Sequence, residues 1–177
     1  MLWPAVRSAL AIFLAVLLAG SLIGVMEGAG HAIFPASQEV QDRIASFQHM
    51  TPAEVQAELA KPGVRRVLAD QPLGVFLVVL VAWMIGTLLG SWTAGIIARC
   101  KPLVHGLVAG GILLAVTLAN MTVIPHPPWM WLASVILIPP AAFLGGMLAG
   151  VRIDRKPSRP DKGSLLPQSP DTKNRMA

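Results

Sequence analysis

Four long apolar stretches interrupt this chain, and the segments between them alternate between poor and rich in lysine and arginine. Each stretch is long enough to cross roughly 30 Å of hydrocarbon. They fall at about 7–28, 73–98, 103–123 and 129–151, and almost every charge lies outside them. Each is apolar all round rather than along one stripe, the pattern of a helix surrounded by lipid or by other helices. The expected fold class is an all-α membrane protein, a four-transmembrane-helix bundle with a helical extracytoplasmic loop over 29–72. Residues 1–151 then form one transmembrane domain.

Charge composition agrees with this reading. Only 13% of the 177 residues are charged, against roughly 25% in soluble domains. The net charge of +5 concentrates in the flanks of the apolar stretches, where orientation rules expect it. Nucleic acid is therefore not an expected partner; the lipid bilayer is. A single cysteine, Cys100, excludes an intrachain disulfide and a multi-cysteine metal site. The first stretch reads as a retained helix. A cleaved signal peptide is the alternative, with Gly30-His31-Ala32 as its small-residue pattern.

Counting basic residues orients the bundle. With both termini cytoplasmic, ten Lys and Arg lie inside and four outside. The opposite orientation reverses those numbers, so both ends are expected on the cytoplasmic face of a bacterial inner membrane. Trp129 and Trp131 are then expected as interface anchors on the outer side, and Trp3 on the inner side.

The outer loop carries helix signals. Thr51-Pro52-Ala53-Glu54 reads as a capping box with proline at the first helical position. The helix it starts is expected to stop at Lys61-Pro62-Gly63. Val40, Ile44 and Phe47 recur at helical spacing behind Ser37. Two short amphipathic helices are expected, packed on the bundle. The tail, 152–177, is rich in Pro, Ser and Lys and is expected to be a disordered basic cytoplasmic segment.

Small residues mark expected helix contacts, because helices in lipid approach closely where side chains are small. These are Gly20 and Gly24 in the first stretch, Gly86 and Gly90 in the second, Gly106 and Gly110 in the third, and Gly146 in the fourth. They serve either a tightly packed monomer or association with a second copy or a membrane-protein partner. Pro139-Pro140 in the fourth stretch removes backbone donors, and a kink is expected there.

Ionisable and polar groups near membrane depth are functional candidates. Glu27 and His31 are spaced i, i+4, and share a face if the first helix continues that far. His126 lies in the third loop, and Asn120 just before it. A carboxylate and two imidazoles can bind a metal, relay protons or grip a polar headgroup. They can equally form a buried pair that ties helices together. His105 and His49 have no visible partner. No cofactor fingerprint, Gly-x-Ser-x-Gly, His-Glu-x-x-His or P-loop is present, so neither cofactor nor catalysis is expected.

Three blocks carry a resemblance. Glu27-Gly-x-Gly-His31-x-x-Phe34-Pro35 resembles a Glu-x-x-Gly-His-x-x-Tyr-Pro pattern, with Phe34 standing at the tyrosine. Ala82-Trp83-x-x-Gly86-x-x-x-Gly90-x-Trp92-x-Ala94 matches a second block. Ile124-Pro125-His126-Pro127-x-Trp129-x-Trp131 resembles a Pro-His-Pro-x-Trp-Phe block. Together they are similar to a family of small, uncharacterised bacterial four-helix membrane proteins, over most of 8–150. The outer loop with Arg65-Arg66 is unusually long against that pattern. The resemblance implies a bacterial inner membrane and four helices, and no mechanism.

The expected function is that of a non-enzymatic accessory or interaction protein in the membrane. The alternative is a small transporter or metal- or proton-handling protein using Glu27, His31 and His126. A third reading is an intramembrane enzyme acting on lipid, with Glu27 and His126 as acid and base.

Overall fold

The computed structural model describes residues 2–154, and these form seven helices and no strand. They are α1 (Leu2–Ile33), α2 (Gln38–Phe47), α3 (Pro52–Leu59), α4 (Pro62–Ala69), α5 (Leu73–Ala98), α6 (Pro102–Val123) and α7 (Pro128–Asp154). Four of them, α1, α5, α6 and α7, are long and apolar enough to cross a membrane. Their outward faces carry large exposed hydrophobics such as Phe13, Val81, Val116 and Leu144, the surface a multi-pass membrane protein presents to lipid.

The long helices form an antiparallel bundle organised around α5, which packs on α1, α6 and α7. Helix α7 also packs along α6, while α1 touches α6 only narrowly. Packing changes character along the bundle. In the half nearer the outer helices, Phe76, Leu80, Trp83, Met121, Met130 and Ile138 form a bulky core. Toward the opposite end the core narrows to Ala15, Ala94 and Ala109. Here glycines bring backbones together: a Cβ on Gly106 would lie 2.8 Å from the Gly146 Cα, and one on Gly95 would lie 2.6 Å from the Ala149 Cβ. Helices α5 and α6 are joined by three residues, Arg99-Cys100-Lys101. Arg99 and Lys101 both have positive φ, 57° and 43°. That left-handed conformation is costly for residues with a Cβ, and such a short reversal demands it.

The boundaries of α5 match the expected 73–98, and α6 and α7 begin one residue earlier than read. Helix α1 is longer than expected, reaching Leu2 and Ile33. Its 32 residues span about 48 Å at 1.5 Å per residue. Helix α7 continues three residues into the expected tail, to Asp154; the rest of the tail lies outside the described residues. Pro139 and Pro140 stand inside α7, which runs through them as one uninterrupted helix. Both prolines are exposed on its outward face.

The outer segment holds three helices rather than two. The Thr51 capping box forms as read: the Thr51 N–H donates to Glu54 Oε2 at 2.7 Å, and the Glu54 N–H donates to Thr51 Oγ1 at 3.4 Å. Helix α3 stops before Lys61, but Pro62 then occupies the first turn of α4. The same proline that ends one helix is pre-set to begin another. Helices α2 and α3 both lean on α4, burying Val40, Leu59 and Val64. They pack more on one another than on the bundle. The two ends of the segment are tied together: the Ser37 N–H donates to Gln71 Oε1 at 3.0 Å, and Gln71 Nε2 donates to Ser37 Oγ at 3.3 Å. Arg43 bridges α2 to Glu58 of α3 at 3.8 Å. Trp129 and Trp131 are more than surface anchors. Trp129 sets its ring edge-on to Phe76 at 6.3 Å, and Trp131 packs on the bulky core.

Candidate functional site

The contact of α1 with α5 determines what Glu27 meets. Ala15, Ala19 and Ile23 on α1 lie against Gly90 and Gly86 on α5; a Cβ on Gly90 would lie 2.8 Å from the Ala19 Cβ. Farther along, Gly30 lies against Val78 and Phe34 against Gly74. Each turn forward on α1 therefore steps one turn back on α5. One turn beyond Ile23 comes Glu27, and one turn before Gly86 comes Trp83. The pair meets as this register requires: Trp83 Nε1 donates to Glu27 Oε1 at 2.9 Å. An indole N–H buried in an apolar bundle needs an acceptor, and Glu27 supplies it.

His126 approaches the same indole from the loop between α6 and α7. Its ring lies 5.8 Å from Trp83 and 6.3 Å from Phe76, tilted against both. Its Nδ1 donates to the Ile124 carbonyl at 2.7 Å. A carbonyl only accepts, so in the neutral ring Nε2 carries the lone pair. Burial pulls the His126 pKa below the ordinary histidine value, and the bond to Ile124 opposes that only partly.

A cleft of about 290 Å³ opens beside this pair, between α1 and α6 and floored by α5. Glu27, Trp83, Thr117 and Asn120 give it polar character, and Gly20 and Gly24 leave its α1 wall bare backbone. The cleft follows from the narrow contact of α1 with α6. Both helices lean on α5, and the bulky core beneath holds them apart.

Of the four candidate polar residues, the structure brings Glu27 and Asn120 to one cleft and sets His126 against its Trp83 floor. His31 lies one turn beyond Glu27 and is exposed. Among the described residues, no three His, Cys, Asp or Glu side chains gather into a metal-ligating group.

The packing glycines divide. Gly86, Gly90, Gly106, Gly110 and Gly146 all face neighbouring helices closely. Gly20 and Gly24 do not; among the described residues, nothing lies within 4 Å of a Cβ built on either, or on Gly28. The inward face of α1 is instead Ala11, Ala15 and Ala19, all at most 1% exposed. The glycine and alanine stripes lie on different sides of α1, and alanine took the internal contact.

Trp83 and Thr117 are the site residues that the sequence reading did not single out. A signal for Trp83 existed. A tryptophan well inside an apolar span and a carboxylate inside another each need a polar partner. These two satisfy each other.

Comparison with protein families, curated proteins and solved structures gives no match to this chain. The family resemblance therefore rests on the three residue blocks alone.

Proposed function

We propose that this chain is a non-enzymatic accessory or interaction protein of the membrane, and that it works by seating a transmembrane helix of a second copy along the open glycine face of α1. The observation that carries this is the empty space beside Gly20, Gly24 and Gly28. Glycines at this spacing allow helix backbones to approach closely in lipid, and the pattern is self-complementary. Every other packing glycine named above is already covered within the bundle. Glu27, Thr117 and Asn120, along the adjoining cleft, offer hydrogen bonds to a neighbouring helix, the other adhesive available in hydrocarbon. The membrane is a bacterial inner membrane with both termini cytoplasmic, a reading supported by the ten-to-four distribution of basic residues.

Disulfide crosslinking in native membranes tests the assignment. In a Cys100→Ala background, Gly24→Cys is expected to give a covalent dimer on oxidation, while Phe13→Cys, on an outward face of α1, gives none. Monomer alone from Gly24→Cys removes a second copy as the occupant.

A second reading, a proton- or metal-handling transporter, draws on Glu27 and His126 flanking the Trp83 ring. It requires Glu27→Gln to abolish a flux measured in proteoliposomes; unchanged flux removes it.

A further inference from the structure

At the end of the bundle away from the outer helices, α5 and α7 leave a groove of about 410 Å³ lined by Leu88, Leu89, Trp92, Leu148, Val151 and Arg152. Five of its six lining residues are apolar or aromatic. Arg152 lines it with its guanidinium 5.3 Å from the centre of the Trp92 indole, a cation–π distance. This contact uses the face of the ring and holds the arginine beside the groove. It leaves guanidinium N–H groups to donate to an anion, and a planar fork of donors suits phosphate.

The electrostatic setting is one-sided. The antiparallel bundle puts Arg7, Arg99, Lys101 and Arg152 at this end. Glu39, Asp42, Glu54, Glu58 and Asp70 all lie in the outer segment at the other end. Within the described helices, Asp154 is the acidic residue at the basic end. An apolar groove between two membrane-length helices, with a cation among its lining residues, matches a molecule with an acyl chain and an anionic head.

We propose that this groove binds one anionic phospholipid, its acyl chain along Leu88, Leu89 and Leu148 and its phosphate at Arg152. The site is separate from the α1 cleft and does not depend on what occupies that cleft.

Native mass spectrometry of the full chain in detergent, titrated with phosphatidylglycerol or with phosphatidylcholine of the same chains, tests it. The wild type is expected to retain one phosphatidylglycerol in preference to phosphatidylcholine. Arg152→Gln is expected to lower that preference about fivefold, the worth of one basic residue at a membrane surface. Arg99→Gln, at the same end but outside the groove, is expected to keep it. Leu148→Trp, which fills the groove, is expected to displace both lipids. Wild-type retention in Arg152→Gln, or an equal loss in Arg99→Gln, overturns the site in favour of diffuse charge attraction. Unchanged binding in Leu148→Trp, or competition by equimolar inorganic phosphate, overturns the acyl-chain groove.

Discussion

Trp83 on α5 hands its indole N–H to Glu27 on α1 at 2.9 Å, joining residues 56 positions apart in the chain. This bond adds a polar tie to a helix contact otherwise made by Ala15, Ala19, Ile23 and the α5 glycines. A double-mutant cycle with Glu27→Ala and Trp83→Phe is expected to show a coupling of about 0.6 kcal/mol, and at most about 1.7 kcal/mol, in detergent unfolding, the average and upper bound for interhelical hydrogen bonds in membranes. Glu27→Gln keeps an accepting oxygen and is expected to retain most of the stability. Strictly additive single variants would mean that the bond contributes nothing.

The two classes of glycine are expected to respond differently. Gly106→Ala drives a Cβ toward the Gly146 backbone, which cannot rotate away as a side chain can. A loss of about 1–3 kcal/mol is expected, as for overpacked cores. Gly24→Ala enters open space and is expected to change the monomer's stability by less than about 0.5 kcal/mol. Thermal unfolding of both variants at a dilution that keeps the chain monomeric checks this. Equal losses would show that the α1 glycine face is packed after all.

His126 makes stability depend on pH in one direction. Its folded pKa is depressed by burial, so the unfolded chain takes up the proton first as pH falls. Stability from the neutral ring is present above the ordinary histidine value and is lost as pH drops from there toward the folded value. His126→Asn is expected to flatten that part of the profile. An unfolding midpoint that falls with acidification just as steeply in the variant would place the effect elsewhere.

Glu54 also loses its contribution as pH falls, but by gaining a proton that neutralises it rather than one that charges it. The Thr51 backbone N–H, and then its hydroxyl, hold the carboxyl below the ordinary glutamate value. The cap persists above the unfolded value and weakens as pH falls through the folded one. Thr51→Ala is expected to speed amide hydrogen exchange in α3 and to leave α5 and α6 unchanged. Unaltered exchange in α3 would show that packing on α4 alone holds that helix.

What was legible in the sequence follows the range of each signal. Helix α5 was readable to the residue, because its ends coincide with Pro72 and with the charged turn at Arg99. The capping box at Thr51 was readable because its partners are three residues apart. Helix α4 was missed because Pro62-Gly63 is an equally good stop and start, and only the fold selects between them. Glu27 and Asn120 were visible as polar groups at membrane depth, but Trp83 became part of the site through the register of α1 on α5. That register depends on which face of α1 turned inward. The glycine and alanine stripes both offered a close fit, and local spacing does not choose between them.

Helices α5 and α6 are joined by the three-residue reversal at Arg99-Cys100-Lys101, and α7 packs along both, so these three form one closely connected block. The fourth stave, α1, reaches that block through a tether that folds on itself and is clasped by Ser37 and Gln71. Two very different connections thus hold the long helices in register, and the Glu27–Trp83 bond closes the longer one like a latch.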